Sequence, residues 1–296
     1  MNLTLEFKGK VIKAMLEDRK NYGGTDSAFA KKYQLHSSIY SRIKNGEIDN
    51  IVSDSQWLTI GRILEVSNSE RSWKFVKTDV VKMIEEEVLF CKSYSKARIL
   101  VDEPEIGKTV SAKHLSRTLK NCFYLDCSQA KSKKLFICKL AQSIGVSGNG
   151  RLADIMENIK YSLRILEEPV VLLDEAGDVD YSVILLIKEL WNATEGICGW
   201  YMIGADGLRQ KFESGIHSKK VGYRELFSRY SSKYSSLIPI EKTEKINFYK
   251  KMITEVLTVN STNKEIIPTI VRKCMVSQDG SIGGLRRAES LLILNS

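Results

Sequence analysis

The sequence predicts an α/β fold, a parallel sheet flanked by helices, with a helical segment before it and a small helical lid after it. Three observations carry this. Four short apolar runs alternate with amphipathic stretches between Ala97 and Gly204. A Gly-Lys-Thr turn follows closely on the first run, and strand-like runs are missing before Ala97 and after about Lys242. Alternation of this kind makes strand–helix–strand crossovers, which order the strands in parallel.

Residues up to about Val66 read as short helices broken by NYGG and KNGEIDN, whose residues favour turns. Within this segment Thr25 or Asp26 can cap a helix with Phe29, Ala30 and Tyr33 on its inner face. After a break at Gln34-Leu35-His36, Ser37 can cap a second helix that turns Ile39, Tyr40 and Ile43 inward. That helix would present Ser37, Ser38, Ser41, Arg42 and Lys44 outward, a set suited to phosphate and base-edge contacts. A helical hairpin used for protein contacts is the alternative. A polar patch from Ser67 to Ser72 leads into a longer helix from about Trp73 to Ser93. The strands are expected at Ala97–Val101, Cys122–Asp126, Pro169–Asp174 and Gly199–Gly204, and helices resume from about Lys242. The chain thus divides into an N-terminal helical domain (1–70), an α/β core (71–240) and a C-terminal helical lid (241–296).

Directly after the first strand stands Asp102-Glu103-Pro104-Glu105-Ile106-Gly107-Lys108-Thr109, followed by Val110 and a helix. The phosphate-binding pattern GxxxxGK[ST] is met at Gly107, Lys108 and Thr109, between a strand and a helix as the mechanism needs. Backbone N–H groups cradle phosphates, lysine reaches the β and γ oxygens, and the hydroxyl binds Mg²⁺. The first position of the pattern is Asp102 in place of glycine, and Glu105 adds a second carboxylate. These charges either repel a nucleotide or point away from it. Downstream, the apolar run Val170–Leu173 ends in Asp174-Glu175. On a neighbouring strand, that pair would orient Mg²⁺ through Asp174 and polarise an attacking water through Glu175. Residues 102–110 are therefore expected to bind ATP, with Thr109 and Asp174 serving the metal.

Composition narrows the class. No run approaches the roughly 18–20 apolar residues of a membrane span, and the first residues lack the apolar core of a secretory signal. A cytoplasmic protein without a membrane partner is expected. Six cysteines form no CxxC pair and read as reduced thiols. The net charge of +9 is uneven: residues 1–75 hold 12 Lys/Arg against 9 Asp/Glu, residues 76–218 hold 19 against 20, and residues 219–296 hold 14 against 7. Basic ends suit an anionic partner such as nucleic acid.

With their surroundings, these motifs resemble the AAA+ ATPases of DNA transposition, the phage Mu B-like family. The resemblance runs through DEPEIGKTVSAKHL, FYLDCSQAKSKKLF, VVLLDEAG, GWYMIGADGLR, ELFSRYSSKY and GSIGGLRRAE. It implies a P-loop AAA+ core and an ATPase that oligomerises as a ring or filament on double-stranded DNA and delivers that target to a transposase. It further implies a trans-acting arginine finger at Arg229 and a lid arginine, sensor 2, at Arg286, with Arg287 adjacent. Sensor 1 would fall near Ala205-Asp206, where Ala205 stands in place of the family's usual amide residue. The basic residues Arg209, Lys211, Lys219 and Lys220 would contact target DNA. The N-terminal helices resemble the helix-turn-helix of phage repressors, with Gln34 where the turn often has glycine. A nucleotide-switched, sequence-specific regulator with little ATP turnover is the second reading, and an AAA+ remodeller without DNA contact a third.

Overall fold

The computed structural model describes residues 3–67, 73–276 and 282–295. Of the predicted features, the polar patch lies outside the described residues from Asn68 to Ser72, as do Gly280 and Ser281 of the last similar stretch.

The N-terminal segment forms α1 (Leu5–Lys20), α2 (Asp26–Lys32), α3 (Ser37–Lys44) and α4 (Asp54–Ile63). Thr25 caps α2 by accepting from the Ala28 amide at 3.2 Å. The cap of α3 differs from expectation. His36, not Ser37, holds it, with Nδ1 accepting from the Ser38 amide at 3.3 Å. An imidazole acceptor reaches the first-turn amides, and Ser37 becomes the first helical residue. Between the two helices Gln34 adopts φ 56°, the left-handed conformation that explains why glycine suits this position. Phe29, Ala30, Tyr33, Tyr40 and Ile43 are buried as their spacing predicts.

Helix α5 (Asp79–Tyr94) begins six residues later than the expected Trp73. Tertiary contacts hold the preceding stretch out of a helix. Asn260 donates to the Lys74 carbonyl at 3.1 Å, and Phe75 stacks on His114 with ring centroids 4.0 Å apart. Strands β1 (Ala97–Val101), β2 (Cys122–Asp126), β3 (Val170–Asp174), β4 (Gly199–Gly204) and β5 (Tyr234–Ser235) form one sheet in the order β2-β3-β4-β1-β5, parallel throughout. Strand β3 starts one residue after Pro169, which has no N–H to give a ladder.

Side chains alternate across this sheet. Ile99, Val101, Val171, Leu173 and Met202 enter one core, while Leu100, Val170, Leu172, Tyr201 and Ile203 enter the other. The first core is covered by α7 (Lys133–Ile144), α8 (Leu152–Ile165), α9 (Tyr181–Ala193), α10 (Asp206–His217) and α11 (Tyr223–Arg229). The second is covered by α5, by α6 (Lys108–Thr118), and by the C-terminal helices α12 (Lys242–Asn260), α13 (Ile267–Met275) and α14 (Leu285–Ile293).

The N-terminal helices share the first core with the sheet. Tyr22 donates to the Ile144 carbonyl at 2.7 Å, the Gly23 amide to Asn121 at 2.8 Å, and the Asn121 amide to the Asn21 carbonyl at 2.9 Å. Glu65 pairs with Lys113 and Arg117 of α6. Among the described residues no helix is long and apolar enough to cross a membrane.

Candidate functional site

Strand β4 separates β1 from β3, so the loop after β1 and the acids after β3 flank one point on the carboxyl edge of the sheet. In open parallel sheets that edge is where ligands bind. The loop there is shaped by Gly107 at φ 94°, which opens α6, and by Glu105 at φ 65°. No side chain caps α6, which leaves its first-turn N–H groups to meet an anion. Lys108 is half-buried, and its ammonium donates to the carbonyls of Asp102 at 2.8 Å and Glu103 at 2.5 Å. Burial lowers its pKa, while the carboxylates of Asp102, Glu175, Asp174 and Glu103 pull the other way. Thr109 is half-buried in the first turn of α6, Ile106 is buried beneath the loop, and Pro104 and Val110 are exposed.

The three acids of the loop are each engaged by donors of the chain itself. The buried Asp102 carboxylate accepts from the amides of Leu237 at 2.5 Å and Ile238 at 3.0 Å, and from the Ser236 hydroxyl at 3.2 Å. It ties the end of β1 to the chain leaving β5, and its other oxygen, Oδ1, accepts from the Glu103 amide of the loop itself at 2.8 Å. Glu103 binds Lys245 and accepts from the Tyr249 hydroxyl at 2.7 Å, both on α12. Burial pushes the Glu103 carboxyl up, but those two partners outweigh it and hold it below the usual range. Glu105 accepts from the Gly284 amide at 3.1 Å, and its carbonyl accepts from the Leu285 amide at 2.8 Å.

Asp174 is buried, with Oδ1 accepting from the Glu175 amide at 3.0 Å and Oδ2 from the Tyr124 hydroxyl at 2.9 Å. Glu175 adopts φ 49°. Its carboxyl is raised above the ordinary value, first by burial and then by Asp174, against a lowering pull from Lys108. The donor set here, the Thr109 hydroxyl with carboxylates, is hard oxygen of the kind Mg²⁺ takes.

The other site residues lie on separate elements, and Arg229 is not brought to this edge: its partner Asn192 lies at the end of α9, where the chain turns to enter β4 from the opposite edge. Arg286 is exposed in the first turn of α14, whose start is the Gly284–Leu285 contact with the loop. Arg287 donates to the Val276 carbonyl at 3.1 Å. Arg229 ends α11 and is held by its own chain: it donates to Asn192 Oδ1 and to the Glu225 carbonyl, both at 2.7 Å, and lies over the Trp191 ring. Asp206 is exposed at the start of α10, just past β4. Three of the four basic residues beyond β4 are engaged locally. Lys211 donates to the Val179 carbonyl at 2.5 Å, Arg209 lies over Tyr234, and Lys220 over Tyr181.

On the N-terminal helices Ser37, Ser38, Ser41, Arg42 and Lys44 are all exposed. Arg42 pairs with Glu47 at 2.8 Å and Lys44 with Asp26 at 3.1 Å. Sequence reasoning did not find Tyr124, Lys245, Tyr249 or Gly284. Each joins the site through a contact across distant segments, and no local motif marks such a contact.

Residues 92–212 match the model of the AAA domain family, a stretch that holds the loop, Asp174 and Glu175. The chain is also similar to the ATP-dependent target DNA activator B of Escherichia phage D108, with 23% identity over 202 residues, or 68% of this chain. The match spans 62% of that relative's length.

Proposed function

Taking the AAA domain as premise, we propose that this chain is a Mu B-like ATP-dependent DNA-binding ATPase, which oligomerises on duplex DNA and delivers that target to a transposase. The observation that carries the reading is the meeting of Lys108 and Thr109 with Asp174 and Glu175 at one edge of the sheet. The name of the phage relative supports DNA as a partner, and the resemblance of the motifs to the transposition ATPases supports a transposase. In this reading Gly107, Lys108 and the first-turn amides of α6 bind the phosphates of ATP. Lys108 exchanges two backbone carbonyls for phosphate oxygens. Thr109 and Asp174 would hold Mg²⁺, which when bound neutralises phosphate charge. Glu175 orients and deprotonates the attacking water. Arg286 approaches the phosphates from the lid, and Arg229 serves a neighbouring subunit once Asn192 releases it. Ser37, Ser38, Ser41, Arg42 and Lys44 meet the DNA backbone and base edges.

The test is binding to a labelled random-sequence duplex, followed by anisotropy with ATP, with ADP and without nucleotide, beside Lys108→Ala. Binding that requires ATP, ignores sequence, weakens with salt and is lost in the variant supports the reading. Equal binding in every nucleotide state, or none, overturns it. The regulator reading has its own support in the compact α2–α3 pair with five exposed polar residues. A narrow footprint on one sequence, unaffected by nucleotide, would favour it.

A further inference from the structure

Tyr124 sits on β2 two residues before its end, and β2 pairs with β3 in the register Tyr124↔Leu172 and Asp126↔Asp174. Its ring crosses toward β3, and its hydroxyl donates to Asp174 Oδ2 at 2.9 Å. Since Oδ1 takes the Glu175 amide at 3.0 Å, the carboxylate is fixed by one donor on each oxygen. That pins the carboxylate plane and fixes which of its remaining lone pairs face the loop. Asp174 is only 2% exposed, so among the described residues these two donors replace what water would supply. An ionised carboxylate can only accept, so the phenol is the donor of this pair.

On its other side Tyr124 lines a cleft of about 610 Å³ between the N-terminal helices and the core. Lys113, which pairs with Glu65 two residues past α4, lies 5.8 Å from the ring centroid. Tyr124 is therefore held between the N-terminal segment and the acid of the nucleotide site. Nothing in the loop or in the Asp-Glu pair calls for a tyrosine at this place on β2.

The geometry points to Tyr124 as a positioning residue that orients Asp174 for Mg²⁺ when nucleotide is bound. The inference rests on the ATPase reading above. Hydrogen-bond partners behind metal ligands typically contribute ten- to a hundredfold in metal affinity. Tyr124→Phe keeps the ring and removes only the donor.

The experiment follows binding of a fluorescent ATP analogue by the full chain, first in EDTA and then across a Mg²⁺ titration. Tyr124→Phe is expected to leave the EDTA affinity unchanged and to raise the Mg²⁺ concentration at half-effect by about tenfold. A merely structural tyrosine would lower both affinities together, along with the melting temperature. Because Tyr124 acts through Asp174, the substitution is expected to change nothing further in an Asp174→Asn background. A Mg²⁺ midpoint equal to that of the parent, or an additive effect in Asp174→Asn, overturns the inference while the ATPase reading stands. A parent chain that binds no nucleotide under any condition overturns both.

Discussion

The Glu105 carboxylate accepts the Gly284 amide at 3.1 Å, so a residue of the phosphate loop anchors the start of α14. A Cβ on Gly284 would come within 2.5 Å of both the Cβ and the carbonyl oxygen of Glu105. Gly284→Ala is therefore expected to lever the lid off the loop, a strain of about 1–3 kcal/mol. Nucleotide affinity, measured by titration calorimetry, should fall about tenfold for each 1.4 kcal/mol coupled to binding, while the sheet core stays folded. Unchanged affinity would mean that the lid does not take part in holding the nucleotide.

Asp102 occupies the position where the phosphate-loop pattern has glycine, yet replacing it with glycine is expected to harm the protein. Its carboxylate satisfies two backbone amides and the Ser236 hydroxyl beyond β5. Removing it leaves the amides of Leu237 and Ile238 without an acceptor in a buried place. The loss is about 2–4 kcal/mol, or roughly 5–10 °C in Tm for a domain of this size. ATP affinity should not improve in Asp102→Gly, because the carboxylate is already engaged by donors of the chain, one of them the loop's own Glu103 amide. A tighter nucleotide complex with no loss of Tm would contradict this account.

Those two residues also mark what the sequence reveals and what it does not. The four long strands, the loop and the Asp-Glu pair were legible because each is a local pattern: an apolar run, a glycine-lysine-threonine turn, a run ending in acids. The direction of the loop's carboxylates was not legible. It depends on β5, a two-residue strand too short to show alternation, and on lid residues more than 130 positions away in the chain. The late start of α5 has the same origin, since contacts with Asn260 and His114 override a helical pattern. The His36 cap was missed for another reason: imidazole is an uncommon acceptor at that position, and a serine stood beside it.

Glu175 is expected to set the acid limb of ATP hydrolysis. A general base works only when deprotonated, so the rate falls as pH drops through its pKa. Burial and Asp174 raise that pKa, so the fall begins closer to neutrality than an ordinary glutamate, near 4.3, would allow. Glu175→Gln should lower kcat by about 10²–10⁴-fold and abolish that limb, with ATP still bound. Initial rates between pH 4.5 and 8, beside direct nucleotide binding, check both points. An acid limb that survives in Glu175→Gln would assign the base to another group.

Arg42 and Lys44 carry a prediction about DNA that salt makes readable. Both are exposed and now pair with Glu47 and Asp26. The Asp26 carboxyl is held below its usual range, first by Arg19 and then by Lys44. Exposed pairs of this kind exchange readily for phosphate, because solvent already screens them. If both side chains meet the duplex backbone, the double variant Arg42→Ala/Lys44→Ala should bind every duplex more weakly. The slope of log K against log salt should then become shallower by about 0.9 for each phosphate that is no longer neutralised, or about 1.8 in all. If one of them instead reads a base edge, the variant should discriminate less between sequences while its slope changes by less. An unchanged slope together with unchanged affinity would remove the exposed face of α3 from the DNA interface and leave the N-terminal helices to a protein partner.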